Sequence, residues 1–332
     1  MVADMIPPAT AAAFVEKAGW GHAAIVPLAG DASFRRYFRV IDGARRAVLM
    51  DAPPPHEDPR PFIAIARHLT GQGFAAPEIL ASDLDEGLVL IEDFGDERLK
   101  EYVEAQPQEE EAVYRRAVEL LADLHARPAA DLPAYDRAVY QREAGLLTEW
   151  FCPAVGLPVD EAAYVAAWDA VLPLVEGSAV SPVTVLRDYH AENIMLIDRP
   201  EARGLGLLDF QDALAGHPAY DLVSLLQDAR RDVSPELEAA MLAHYRALAR
   251  PSDDFEAAYA ILGAQRNAKI IGIFTRLWKR DGKSRYLSFL PRMWDLLERD
   301  LAHPALGPVA DWFIANIPAS RRHDALEGFA PA

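Results

Sequence analysis

Cysteine is nearly absent: Cys152 is the single one in 332 residues. An intrachain disulfide is therefore excluded, as is a cysteine-based metal site, and a reducing cytoplasm fits this usage. Long apolar runs are lacking too, and nothing approaches the roughly 18 consecutive apolar residues of a membrane span. The opening text MVADMIPPATAAAF has neither a basic start nor a long apolar core, so it does not read as a secretory signal. Positive charge is in deficit, with 33 Lys and Arg against 51 Asp and Glu and a formal net charge of −18. That balance opposes nucleic acid and anionic membranes as partners, since both call for basic surfaces. It serves solubility, or an acidic cleft for a cationic substrate. Lysine is scarce, and the β-rich first part has none between Lys17 and Lys100. No repeat of solenoid period and no long low-complexity tract occurs.

What is present is ample for buried cores. The hydrophobic fraction is 51% and the charged fraction 25%, ordinary for a globular chain whose length suggests about two domains. Residues 9–20 read as a short amphipathic helix. From Ala24 to Ala52 the pattern is strand-like, with AIVPL, FRRYFRV and RAVLMDA as three runs of an antiparallel meander and Asp42-Gly43 as a hairpin signal. The proline-dense loop 52–61 leads to a helix from Pro61 that stops at Gly71. PEILAS and GLVLIED add two strands. Beyond Phe94–Arg98 the text turns helical, over 99–105, 107–126, 136–151 and 160–176. Further helical patterns follow at 219–230, 234–248, 255–279, 286–301 and 309–317. The first lobe is thus β-rich, over about a hundred residues, and the second is helical and encloses one small sheet.

That small sheet organises the chain. Two apolar strands, Ile194–Ile197 and Leu205–Leu208, are joined by a turn at Arg199–Gly204, with Asp188 and Asn193 before the first and Asp209 after the second. A carboxylate, an amide and a second carboxylate at one sheet edge suit phosphoryl transfer. There an Asp faces the attacking hydroxyl, while an Asn and another Asp offer oxygen ligands to magnesium. Taken singly each residue is an ordinary turn former; the spacing and the preceding β-rich lobe give the set its meaning.

The text LRDYHAEN (186–193), LLDFQDALAGHPAYDL (207–222) and, more faintly, LADLHA (121–126) resembles the aminoglycoside phosphotransferase and choline kinase-like family. The family's catalytic loop runs H-G-D-L-H-x-x-N; Asp188, His190 and Asn193 match it, while Leu186 and Arg187 stand in place of His and Gly. The resemblance implies an α+β, protein kinase-like two-lobed fold, with residues 1–93 an antiparallel β-sheet lobe carrying one helix and binding nucleotide. Residues 94–332 would form a larger, mainly helical lobe for catalysis and substrate, with 127–180 and the helices after 221 shaping the acceptor pocket. It implies ATP and Mg2+ as cofactors, Asp188 as the catalytic carboxylate, Asn193 and Asp209 as metal ligands, and Asp221 and His190 as structural supports. His125 reads as a core or bracing histidine.

In the first lobe, GDASFRRYF resembles the phosphate-covering turn, so Gly30, Asp31 and Ser33 become nucleotide candidates through backbone N–H groups. LIEDF resembles the hinge, with Glu92 and Asp93 placed by position. One departure stands out: the third strand carries Met50 where kinases have a phosphate-binding lysine. Arg35, Arg36 or another arginine would then supply the charge, Arg36 being favoured because strand alternation sets it opposite Tyr37 and Arg39.

Phrases across both lobes, including VLMDAPPPHED and RNAKIIGIFTRLWKRDGK, resemble one subgroup, the bacterial anomeric kinases of N-acetylmuramate and N-acetylglucosamine in peptidoglycan recycling. The acceptor would be a small amino sugar. An acceptor carboxylate would want Arg or Lys, and the positive island from 265 to 285 offers Arg266, Lys269 and Arg276, while Arg230 and Arg231, following the helical pattern at 219–230, are further candidates. Glu143, Glu149 and Trp150 are candidates for sugar hydroxyls by location. Aminoglycoside, choline or homoserine kinase activity, and a nucleotide-binding pseudokinase, remain alternatives. A protein kinase is disfavoured because no Ala-Pro-Glu segment follows Asp-Phe-Gln. Oligomeric state is not legible.

Overall fold

The structure is a computed structural model that describes residues 5–30, 34–176, 181–199 and 204–322. In chain order the elements are α1 (Ala11–Lys17), β1 (Ala24–Gly30), β2 (Arg36–Asp42), β3 (Arg45–Asp51), α2 (Arg60–Gly71), β4 (Ile79–Asp83), β5 (Leu88–Glu92), α3 (Leu99–Ala105) and α4 (Glu110–His125). There follow α5 (Arg137–Ala144), the single turns α6 (Cys152–Ala154) and α8 (Pro173–Glu176) flanking α7 (Glu161–Val171), then β6 (Val183–Val185), β7 (Ile194–Leu196), β8 (Leu205–Leu207) and β9 (Leu214–Gly216). Helices α9 (Ala219–Leu226), α10 (Pro235–Ala249), α11 (Phe255–Asp281), α12 (Leu290–Leu301) and α13 (Gly307–Asn316) complete the order. Packing divides the chain into two units, one of residues 1–116 and 191–213, the other of 117–190 and 214–332.

The first unit is built on an antiparallel sheet of order β1-β2-β3-β5-β4. Asp42 pairs with Arg45, so the β2–β3 turn is Gly43-Ala44, one residue later than the Asp42-Gly43 signal, and Gly43 takes a positive φ of 60°. One sheet face, formed by Phe38, Val40, Ala47, Leu49, Leu88 and Leu90, is covered by Ala11, Phe14 and Val15 of α1 together with Trp20. The opposite face is buried as well, through Met50, Val89 and Ile91, which is why β3 and β5 read as continuous apolar runs rather than alternating ones. Helix α2 buries Phe62, Ile63, Ile65, Ala66 and Leu69. The same unit holds the antiparallel pair β7–β8. Leu207 N donates to Ala75 O at 2.8 Å and Leu196 N to Glu97 O at 2.8 Å, tying the pair to the segments around the sheet. Gly206 is required there, because a Cβ would sit 2.6 Å from the Phe94 ring.

The second unit is helical. Its central element is α11, of 27 residues, ended by Gly282 in the left-handed region at φ 67°. Side-chain caps start two of its helices: Asp160 accepts from Ala163 N at 2.9 Å and Ser234 from Leu237 N at 3.1 Å. The face of α4 formed by Val113, Ala117, Leu120, Leu121 and Leu124 is buried. A second two-stranded sheet, β6–β9, pairs Val183 with Gly216 and was not anticipated; unlike β7 and β8, its strands are not joined by a short turn that would signal their pairing.

Candidate active site

In the second unit the segment 186–190 leaves β6 and is gripped by one helix. Asp221, fully buried on α9, accepts from Leu186 N at 2.7 Å and Arg187 N at 2.8 Å. One helical turn on, Ser224 Oγ donates to Arg187 O at 3.1 Å. Burial pushes the Asp221 carboxyl up to about 7, against the pull of the two backbone N–H groups. Arg187 adopts φ 69°, the left-handed region that favours glycine, which gives a physical reason for the glycine the resemblance expects there. Its guanidinium is paired with Glu143 and lies 5.7 Å from the Tyr135 ring centroid. Glu143 also accepts from Lys269 Nζ at 3.0 Å and from the Tyr135 hydroxyl. Its burial would raise its pKa, but Lys269 and Arg187 outweigh that and the group is held below its ordinary value.

Asp188 is fixed through Asp188 N donating to Leu186 O at 2.9 Å. Burial raises its pKa, but nearby positive charge, Lys269 foremost with Arg266 and Arg187, outweighs it, so the net shift is downward and the carboxylate stays ionised at neutral pH. His190 is buried and its pKa is lowered, first by that burial. Arg230 Nη1 lies 3.2 Å from His190 Nε2; a guanidinium only donates, so Nε2 accepts and the proton of the neutral ring sits on Nδ1. The buried ring is thus engaged by Arg230. His125, whose Nδ1 lies 2.9 Å from the Tyr245 hydroxyl, is pushed down to about 3 by burial and is a neutral core histidine.

The first unit carries the other residues of the motif. Asn193 closes a 3₁₀ turn ahead of β7 and Asp209 follows β8. The register Ile194 to Leu207 sets the two ends level, and Leu208 N donates to Asn193 O at 3.0 Å. The side chains are adjacent, Asn193 Nδ2 lying 3.5 Å from Asp209 Oδ2. Asp209 sits at φ 56°, and Gln211 Nε2 donates to its Oδ1 at 2.9 Å. Phe210 turns the other way and stacks on Phe62 of α2, with ring centroids 5.0 Å apart and an interplanar angle of 13°. No cluster of three or more His, Cys, Asp or Glu suited to a metal occurs among the described residues. One amide and one carboxylate instead match an ion that takes most of its ligands from water and phosphate, as magnesium does.

The remaining candidates are placed as follows. Asp31 and Ser33 lie outside the described residues, and Gly30 ends β1. Arg36 is committed to the neighbouring strand, Nε donating to Asp51 Oδ2 at 2.8 Å. Met50 is fully buried. Asp93 is held by Arg39, Nε to Oδ2 2.7 Å, and Glu92 is paired with Arg199. Arg266 is 4% exposed and its Nη2 donates to Ser224 Oγ at 2.9 Å, so it braces the Arg187 segment from α11. Glu149 is exposed and Arg276 partly buried on α11. Glu143, read from location as a sugar contact, is instead the anchor of Arg187 and Lys269. Sequence reasoning passed over Ser224 and the structural use of Arg187; the arginine in a glycine position was the available signal.

A family model described as "phosphotransferase enzyme family" matches residues 24–259. Among curated relatives, the N-acetylmuramate/N-acetylglucosamine kinase of Caulobacter vibrioides is 37% identical over 357 aligned positions, covering 95% of this chain and 98% of the relative. The protein of that name from Pseudomonas aeruginosa is 39% identical over 316 positions, covering 90% of this chain and 91% of the relative. A solved choline/ethanolamine kinase family protein from Mesorhizobium loti superposes with a TM-score of 0.64 at 15% identity, over 91% of this chain and 97% of that one, a likeness of fold. No helix among the described residues is long and apolar enough to cross a membrane. With the family match spanning most of the chain and the 186–222 motif on a protein kinase-like fold, the chain belongs to the phosphotransferase enzyme family.

Proposed function

We propose that the protein is an ATP- and magnesium-dependent sugar kinase that phosphorylates the anomeric hydroxyl of N-acetylmuramate and N-acetylglucosamine. The observation that carries this reading is the near full-length similarity, at 37% and 39% identity, to two relatives bearing that name. The lower-identity choline kinase fold would fit many acceptors and does not discriminate. Residues 1–93 would serve nucleotide, and acceptor recognition would fall to 127–180 and the helices after Asp221.

Asp188 would orient the acceptor hydroxyl and take up its proton as the oxygen attacks the γ-phosphorus, in line with the departing ADP oxygen. A carboxylate ionised at neutral pH suits that task. Its position depends on Asp221 and Ser224 holding the three peptide groups before it, which is how positioning contributes to phosphoryl transfer. Asn193 and Asp209 would hold magnesium, which supplies charge neutralisation at the phosphate oxygens.

A panel of acceptors under ATP and Mg2+, read by ADP release, tests the proposal. The two amino sugars should be turned over in strong preference to kanamycin, choline and homoserine, with a phosphorus NMR signal for a sugar 1-phosphate. Preferred turnover of another acceptor, or nucleotide binding without turnover of any, would replace this reading by a different branch of the family or by a pseudokinase.

A further inference from the structure

The lysine gap poses a physical question. A polyphosphate needs a cation beside it, and β3 presents the fully buried thioether of Met50 at the usual place. Several cations around the sheet are engaged elsewhere. Arg36 is on Asp51 at 2.8 Å, Arg39 on Asp93 at 2.7 Å, and Lys100 on Glu192 at 2.7 Å. Arg35 is different in its surroundings. Its side chain is only 9% exposed, its Nε lies 3.7 Å from Glu57 Oε2, and its Nη2 lies 3.8 Å from Oδ1 of Asp209, the candidate magnesium ligand.

The segment carrying Arg35 is fastened on the Glu57 side. Phe34 N donates to Glu57 Oε1 at 3.2 Å, and the Phe34 ring stacks on His56 at a centroid distance of 4.8 Å. Glu57 therefore engages the backbone of residue 34 through one oxygen and faces the guanidinium of residue 35 with the other. A guanidinium set between a holding carboxylate and a metal-binding carboxylate reproduces the electrostatics of a lysine–glutamate pair beside a metal aspartate. The residues come from the β1–β2 connection and the loop before α2 rather than from β3 and the helix itself.

We propose that Arg35, positioned by Glu57, is the residue that contacts the nucleotide phosphates in place of the missing strand lysine. The proposal rests on the kinase reading above. A planar fork suits it, since a guanidinium can give parallel N–H bonds to two phosphate oxygens. The contacts at 3.7 and 3.8 Å are ion-pair distances, beyond the range of direct hydrogen bonds.

The test is equilibrium binding by calorimetry, with MgADP and adenosine titrated separately into wild type, Arg35→Met, Arg35→Lys, Glu57→Gln and Arg36→Met. Losing charge-assisted bonds to phosphate should raise the MgADP Kd of Arg35→Met about tenfold or more, while adenosine affinity stays near wild type. Arg35→Lys should recover most of the loss, and Glu57→Gln should weaken MgADP less than Arg35→Met does. Unchanged MgADP affinity in Arg35→Met, equal losses of MgADP and adenosine, or a larger phosphate-specific loss in Arg36→Met would each overturn the proposal. Wild-type protein that bound no MgADP would instead overturn the kinase reading, a distinct outcome.

Discussion

Replacing Arg187 by glycine and by alanine separates two opposing contributions at the loop that carries Asp188. The backbone there has φ 69°, and a side chain with a Cβ costs about 1–2 kcal/mol in the left-handed region. The native arginine offsets that through its pairing with Glu143, where the two side chains are 18% and 7% exposed. Removing one partner of a buried pair costs about 3–5 kcal/mol. Glu143 keeps Lys269 at 3.0 Å and the Tyr135 hydroxyl, so the lower end, about 3 kcal/mol, applies to Arg187→Ala. Arg187→Gly loses the same pair but relieves the backbone, and should be destabilised by about 2 kcal/mol. The bonds from Arg187 N to Asp221 and from Ser224 to Arg187 O survive in both variants, because they are made by the peptide groups. Urea unfolding followed by tryptophan fluorescence measures each difference. Equal stability of the two variants would refute the strain, and an Arg187→Gly protein as stable as wild type would refute the ion pair's contribution.

Three further outcomes follow from the same geometry. Asp188→Asn should lower kcat about 10²- to 10⁴-fold while MgADP affinity and melting temperature stay close to wild type; retained turnover would remove Asp188 from its role. Lys269→Met takes away the largest influence holding the Asp188 carboxylate down while leaving burial, which raises it, in place. The acidic limb of the kcat/KM profile should therefore move to higher pH, because the ionised form is lost sooner as pH falls; an unmoved limb would show that Lys269 acts only on Glu143. Asn193→Ala and Asp209→Asn should each raise the magnesium concentration for half-maximal rate about tenfold or more, with the effect of added Mg2+ read at saturating ATP.

The parts of the fold that were legible depend on neighbours in sequence. Helix α4 declared itself through an apolar face repeating at helical spacing, and α10 through Ser234 followed by Pro235. The β7–β8 pair could be read because its strands are joined by one short connection with polar residues at matching ends. Strands β6 and β9 could not. Each has three residues, and the segment between them includes Asp188, Asn193 and Asp209, so neither periodicity nor a turn marks their pairing. The register of β2 on β3 shows how small an error matters. Pairing Asp42 with Arg45 carries Arg36 opposite Asp51; a turn centred on Asp42-Gly43 would set Leu49 there instead, leaving Arg36 without its carboxylate. Strand alternation alone thus made Arg36 look available for phosphate when the register commits it to Asp51.

The positive island of α11 makes the same point in three dimensions. Read along the chain, Arg266, Lys269, Arg276, Lys279 and Arg280 form a single basic run suited to an acceptor carboxylate. On the folded helix the run divides. Arg266 and Lys269 lie one turn apart on a buried face, where they meet Ser224 and Glu143, whereas Lys279 and Arg280 are exposed near the helix end. Moving the buried pair off those partners would take one charged partner from Glu143 and one hydrogen bond from Ser224, a cost of several kcal/mol by the buried-pair argument. Their charge reaches Asp188 through space instead, lowering its pKa from beneath the loop. Charge placed under a buried carboxylate sets the pH at which it ionises, and that effect follows from burial and distance, which composition along a helix does not contain.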